Sequence, residues 1–302
     1  MASWQAHLAV LFLKFQFKRK LRGGADVAPA RAILNNIKHK VPNEVRASSG
    51  QVGSVNGEWM RPAAGTASGT LLYLHGGVYF ACSPQTHRPV TGGFARRGFD
   101  VFAPDYRLAP EHPFPAAVDD AVAAYRGLLA QGVDPGQLTV AGDSAGGGLA
   151  LGMLLSLRDA GDPMPAAVAV FSPWTDLAAT GETLRTNSAR DAMFNGKGVS
   201  RAAAPYLAGA DARNPLASPL YGDYAGFPPM LIHAGTYEVL LDDSRRLADR
   251  VRAADAPVTL QTWPVVPHAW QLLPIPEARQ SMDAAAAFVR TAMQALPDRV
   301  AA

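Results

Sequence analysis

From Thr70 onward, strand-length apolar runs alternate with stretches of helical periodicity, and no other feature narrows the fold as much. The runs are Thr70–Leu74, Asp100–Ala103, Leu138–Ala141, Ala167–Phe171, Met230–Ala234 and Val258–Trp263. Helical patterns lie between most of them, over Ala116–Leu129, Ala145–Arg158 and Leu241–Ala253. Strands that are apolar throughout need cover on both faces, and parallel strands need crossovers that are usually helical. The alternation therefore predicts an α/β fold with a mostly parallel sheet between helices. With 48% hydrophobic and 18% charged residues, the 302-residue chain can fill such a core, and global disorder is excluded. Residues 178–226, rich in Ala, Gly, Asn and Pro, interrupt the rhythm and read as an inserted helical segment.

The first seventy residues follow other patterns. Trp4, Leu8, Leu11, Phe12 and Phe15 fall on one helical face, which predicts an amphipathic helix packed on its own protein as a lid over the pocket mouth. The alternative is a helix lying on a membrane surface. The apolar run Leu8 to Leu13 stops at Lys14, far short of the ~20 residues that span a bilayer. Positive charge follows that run, the reverse of a secretory signal. Residues 27–40 read as a second short helix, with Ala30, Ile33, Leu34 and Ile37 on one face. Strands joined at Asn56-Gly57 are expected beyond Pro42.

The net charge of +3 gathers largely in Lys14 to Arg22, too diffuse elsewhere to suggest nucleic-acid binding. A lone cysteine, Cys82, rules out an intrachain disulfide and Cys-pair metal sites. It suits a cytoplasmic location.

Gly142-Asp143-Ser144-Ala145-Gly146 is a G-x-S-x-G element between a strand and a helical run. In such an elbow the serine is held in a strained conformation with its hydroxyl exposed, and its neighbours two residues away must be small. Ala145 opens the helix, so its N–H has no helical partner. A phosphate loop is disfavoured because no Gly-Lys-Ser/Thr follows. Acyl transfer at Ser144 would need backbone N–H groups near the developing oxyanion. His75-Gly76-Gly77-Val78, directly after the strand Thr70–Leu74, supplies bare backbone for that purpose, with His75 shaping the loop.

In this fold the triad order along the chain is serine, acid, histidine. Of seven histidines, only His268 lies beyond both Ser144 and the last strand–helix unit. The acid should leave the strand Met230–Ala234, which points to Glu238, with Asp242 as the runner-up. Asp242 and Asp243 also suit a helix start. His233, inside a strand, reads as a core histidine.

These residues, with "HGGVYF", "DYRLAPEHPFPAAVDD", "GDSAGG", "SPWTDL", "GTYEVLLDD" and "PHAW", resemble the hormone-sensitive-lipase-like family of α/β-hydrolases, the bacterial family IV carboxylesterases. The resemblance implies a core of residues 46–177 and 227–302 beneath a helical cap of residues 1–45 and 178–226. It implies a cofactor-free carboxylesterase for short- to medium-chain esters, with Ser144 as nucleophile, His268 as base and Glu238 where the family usually has aspartate. The oxyanion donors would be the N–H groups of Gly77, Val78 and Ala145, with Gly76 supplying the turn. Val78 stands where the family usually has a third glycine. Asp105, Arg107 and Glu111 look like an ion-pair network behind that loop, and Asp176 like a loop tie. The expected partner is a small-molecule ester, with no nucleic acid and no membrane association. A homodimer is compatible with the sequence. Other chemistries for the same triad are a lactonase, a natural-product deacetylase and a membrane-peripheral lipase. A binder that has lost catalysis is disfavoured because His268 is present.

Overall fold

The structure is a computed structural model describing residues 2–18, 27–37 and 39–295, without the side chain of Phe17. The basic residues Arg19, Lys20 and Arg22 lie outside the described residues, as does Lys38.

Eight strands form one sheet in the order β1-β2-β4-β3-β5-β6-β7-β8. They are β1 (Val45–Val52), β2 (Val55–Pro62), β3 (Thr70–Leu74), β4 (Asp100–Pro104), β5 (Leu138–Asp143), β6 (Ala167–Phe171), β7 (Met230–Gly235) and β8 (Val258–Trp263). Strand β2 runs antiparallel to both neighbours, and β3 to β8 are parallel. The six apolar runs are thus six strands.

Successive side chains of a strand point to opposite faces, and the two faces carry two cores. Leu71 and Tyr73 of β3 pack with α3 (Arg88–Ala95) and α10 (Pro276–Gln294), through Val90, Phe94, Met282 and Val289. Leu72 and Leu74 pack on the other side with α4 (Ala116–Ala130), α5 (Ser144–Asp159) and α9 (Leu241–Ala253). Helix α5 is buried along almost its whole length, which is why its sequence is apolar all round.

The hairpin of β1 and β2 turns at Gly53-Ser54, not at Asn56-Gly57. Val52 pairs with Val55 and Asn56 with Gln51, inside the ladder. Gly53 takes the positive φ of +57° that a two-residue hairpin turn requires at its first position. Gly57 is needed for a different reason. A Cβ there would lie 2.4 Å from the Ala103 carbonyl oxygen and 2.6 Å from the Phe102 ring.

Helix α1 (Trp4–Leu13) forms, but with its faces reversed from expectation. Ala6, Val10 and Leu13 are buried, while Trp4, Leu8, Leu11, Phe12 and Phe15 are 54–69% exposed. The inward residues pack on Val265, Val266 and Trp270 of the segment after β8, and on Ala192. The large stripe therefore does not cover a pocket mouth. Small side chains on the inner face let the helix lie close to that segment. Ser3 caps α1 by accepting from the Ala6 N–H, and its own N–H and Oγ donate to Glu277 at 2.6 and 2.9 Å. Helix α2 (Val27–Leu34) ends before Asn35, so Ile37 is not part of it. The insertion holds three short helices, α6 (Thr183–Thr186), α7 (Gly196–Ala202) and α8 (Ala204–Leu207). Among the described residues no helix is long and apolar enough to cross a membrane.

Candidate active site

The C-terminal ends of parallel strands share one edge of the sheet, so residues far apart in sequence meet there. Ser144 follows β5, His75 to Val78 follow β3, Glu238 follows β7 and His268 follows β8.

Ser144 begins α5 at φ +53°, the strained geometry expected of an elbow. The neighbours leave no room for side chains. A Cβ on Gly142 would sit 2.5 Å from the Gly146 oxygen, and one on Gly146 would sit 2.1 Å from the Leu74 oxygen. The Ser144 Oγ lies 2.8 Å from His268 Nε2, and His268 Nδ1 lies 2.8 Å from Glu238 Oε2. The glutamate side chain thus reaches the imidazole directly. The other carboxylate oxygen, Oε1, accepts from the Ser172 hydroxyl at 2.7 Å and from the Gly235 N–H. Ser172 in turn accepts from the Ala269 N–H, which couples the acid to the histidine segment. The Phe194 ring meets His268 edge-on at 5.1 Å. Burial alone would lower the His268 pKa, but the hydrogen bond and charge of Glu238, helped by Asp191 and Asp143, outweigh it and raise it.

Asp242 and Asp243 do not approach this chain of hydrogen bonds. Asp242 accepts from the Thr183 N–H at 2.9 Å, and Asp243 from the N–H groups of Thr175 and Asp176 at 2.8 and 2.9 Å. Asp176 accepts from Thr180 and Tyr221 and pairs with Arg246, tying its loop. His233 is a buried core residue facing Ser281 at 2.8 Å, its pKa lowered to about 4 by burial.

Gly77 takes φ +123°, and a Cβ there would lie 2.1 Å from the Ala81 oxygen. Val78 also has positive φ, +60°, so this turn is made without the third glycine. Among the described residues the N–H groups of Gly77 and Val78 donate to no protein acceptor. Gly76 differs, because its N–H donates to Asp143 Oδ1 at 3.0 Å. Gly76 is thus part of the turn, and its N–H is not free for an oxyanion. His75 is buried, with Nδ1 2.7 Å from the Gly76 oxygen and its ring stacked on Tyr106 at 4.3 Å. Burial, helped by the neighbouring His87, lowers its pKa to about 3, so it is neutral.

Asp143 is the residue that sequence reasoning overlooked, although it occupies the variable position before Ser144. Its Oδ1 accepts from Tyr73 Oη at 2.6 Å as well as from Gly76, and His87 Nε2 is 3.4 Å away. Burial opposes its ionisation, yet His87 and the Tyr73 and Gly76 hydrogen bonds hold the carboxyl at about 2. One carboxylate therefore fixes the Gly76 loop against the serine elbow. Asp143→Asn should lower kcat by about 10²-fold, the scale of an ångström-level misplacement, with KM little changed. Steady-state kinetics on a soluble ester checks this, and a loss confined to KM would contradict it.

The expected ion-pair network is absent as drawn. Arg107 pairs with Asp120 at 2.8 Å, and Glu111 with Arg31 of α2. Asp105 has its carboxyl pKa raised by burial. Arg31 also donates to the Ala109 and Phe80 carbonyls, clamping α2 to the chain just beyond the Gly76 loop.

Two apolar cavities meet at Ser144 and share Val78 and Phe194. One, of ≈ 70 Å³, reaches Trp174, Val199 and Leu240; the other, of ≈ 180 Å³, reaches Leu13, His268 and Leu272.

A family model described as alpha/beta hydrolase fold matches residues 71–272. An acetyl-hydrolase of Streptomyces hygroscopicus is 50% identical over 244 residues, 80% of this chain and 81% of that protein. An esterase of Acinetobacter venetianus is 35% identical over 94% of this chain and 96% of its own. The crystal structure of EstE5 superposes with a TM-score of 0.93 at 38% identity, covering 97% of this chain and all of that one. An esterase from the bacterial hormone-sensitive lipase family superposes with a TM-score of 0.87 at 40% identity, with the same coverage. Sheet order, elbow and relatives agree, and the chain belongs to the hormone-sensitive-lipase-like family of α/β-hydrolases, where it is a carboxylic ester hydrolase.

Proposed function

We propose that the protein is a serine carboxylesterase using Ser144 as nucleophile, His268 as general base and Glu238 as the acid that orients the imidazole. The unbroken hydrogen-bond chain Glu238–His268–Ser144, ending where two apolar cavities meet, carries this reading. Ser144 Oγ attacks the ester carbonyl while its proton passes to His268 Nε2. The N–H groups of Gly77, Val78 and Ala145 receive the oxyanion. The C–O bond to the alcohol breaks as His268 returns the proton to the leaving oxygen. Water deprotonated by His268 then attacks the acyl-enzyme, and the acid leaves with Ser144 restored.

Residues 1–45 and 178–226 act as a cap in this reading. Leu13, Leu34, Met193, Phe194 and Val199 wall the two cavities. Tyr206 of α8 stacks on Tyr79 at 3.8 Å, joining the insertion to the Gly76 loop. The narrow, apolar walls suit short to medium acyl chains. Removal of an acetyl group from a natural product is the second reading, favoured by the relative named an acetyl-hydrolase. A panel of esters from acetate to decanoate on one alcohol, with acetylated natural products and lactones beside it, tests both. A profile peaking at the longest chains would overturn the short-chain reading.

The pH profile should carry the His268 signature. The raised pKa keeps His268 protonated up to a higher pH than an ordinary histidine, near 6.5. A protonated imidazole cannot accept the serine proton. Activity is therefore full above the His268 pKa and is lost as pH falls through it, with an acidic limb in kcat/KM above about 6.5. A limb well below that value would contradict the assignment.

A further inference from the structure

Helix α1 carries apolar side chains on both faces, with polar ones only at Gln5 and His7. Its inner face, Ala6, Val10 and Leu13, is covered by the segment carrying His268 and by Ala192. On its outer face Trp4 is 69% exposed, Leu8 54%, Leu11 63% and Phe12 62%. A helix that is hydrophobic all round is ordinarily covered all round. Four such side chains side by side form a patch of the kind that marks an interaction site.

We propose that this outer face docks the enzyme onto an anionic lipid surface. The charge pattern selects that occupant. Lys14, Lys18, Arg19, Lys20 and Arg22 follow the stripe closely, and no acidic residue occurs before Asp26. Indole, phenyl and leucyl side chains beside a basic run are the chemistry of a helix lying in an anionic interface, apolar face down. A second copy would meet the same excess of positive charge in the first part of the sequence, against charge complementarity.

The docking face is firmly mounted. Ser3 is bound to Glu277 at the start of α10, and Lys18 Nζ donates to the carbonyls of Ser188 and Asp191. The same helix contributes Leu13 to the cavity that contains Ser144 and His268, whose lining also includes the half-exposed Ile37. Docking would set the rim of that cavity against the lipid. Ester substrates dissolved in the lipid layer would then reach Ser144 without crossing water. This delivery rests on the esterase reading; the docking itself does not.

Co-sedimentation of the full chain with vesicles tests the proposal. The wild type should bind phosphatidylglycerol–phosphatidylcholine vesicles, bind pure phosphatidylcholine at least about tenfold more weakly, and be released near 1 M salt, where the Debye length is about 3 Å. The Leu8→Gln/Phe12→Gln variant should bind the anionic vesicles about tenfold or more weakly, because two large apolar groups leave the interface. Its hydrolysis of a soluble short-chain ester should match wild type. Without any substitution, lipids brominated on their acyl chains should quench wild-type tryptophan fluorescence through Trp4. Failure of the wild type to sediment, binding indifferent to the double substitution, or absence of quenching would each overturn the proposal. So would a dimer in sedimentation velocity that the double variant dissolves, since the face would then join two copies. A wild type that binds vesicles but hydrolyses no soluble ester would count against the esterase reading alone.

Discussion

Ser144→Ala should lower kcat by about 10⁴–10⁶-fold, the range for removal of a triad nucleophile. Among the described residues the Ser144 hydroxyl has one protein partner, His268 Nε2 at 2.8 Å. Alanine keeps the elbow's backbone and meets the same strain at φ +53° as serine does. The packing around it depends on Gly142 and Gly146, which are untouched. Thermal stability should therefore stay close to wild type, and the loss should be chemical. An organophosphonate should label the wild type at Ser144 and leave the variant unlabelled. A folded Ser144→Ala protein that retains activity, or a phosphonate adduct elsewhere, would move the nucleophile.

The parts of the fold visible in the sequence are those where burial leaves only one solution. Strands β3, β5, β6 and β7 are covered on both faces, so they are written as apolar runs, and the helices between them follow from parallel pairing. The hairpin turn was not fixed in that way. Gly53-Ser54 and Asn56-Gly57 are both turn-forming pairs, and the choice rests on the approach of β4, whose Phe102 and Ala103 leave no room for a Cβ at Gly57. Helix α1 shows a related limit. Periodicity finds its large stripe but cannot say which face of a helix with apolar residues on both sides meets the protein. Here the smaller face does, because the segment bearing Val266 and Trp270 lies close. Asp143 was hidden for a third reason. Its contact with Gly76 depends on the β3–β5 register, which pairs Leu74 with Gly142 and so brings the two following loops together. Arg107 had several carboxylates within reach along the chain, and the first turns of α4 present Asp120 rather than Asp105 or Glu111.

Glu238→Gln should lose roughly 10⁴-fold in kcat, the cost of the wrong imidazole tautomer in a comparable triad. The geometry dictates that tautomer. Glu238 Oε1 receives two donors, the Ser172 hydroxyl and the Gly235 N–H, while Oε2 faces His268 Nδ1. A glutamine amide has one oxygen, and the two donors hold it at the Oε1 position. Its NH₂ then points at Nδ1, which must accept. The imidazole proton moves to Nε2, and Nε2 can no longer take the Ser144 proton. Removing the carboxylate charge also withdraws part of what raises the His268 pKa, so the acidic limb of any residual activity should shift to lower pH. Asp242→Asn should cost little by comparison. Its Oδ2 accepts from the Thr183 N–H, an Oδ1 contact reaches Arg245, and neither leads to His268. Measuring kcat for both variants on one soluble ester decides between the two acids. If Asp242→Asn is the more damaging substitution, or if Glu238→Gln leaves kcat within about tenfold of wild type, Glu238 is not the residue that orients the base.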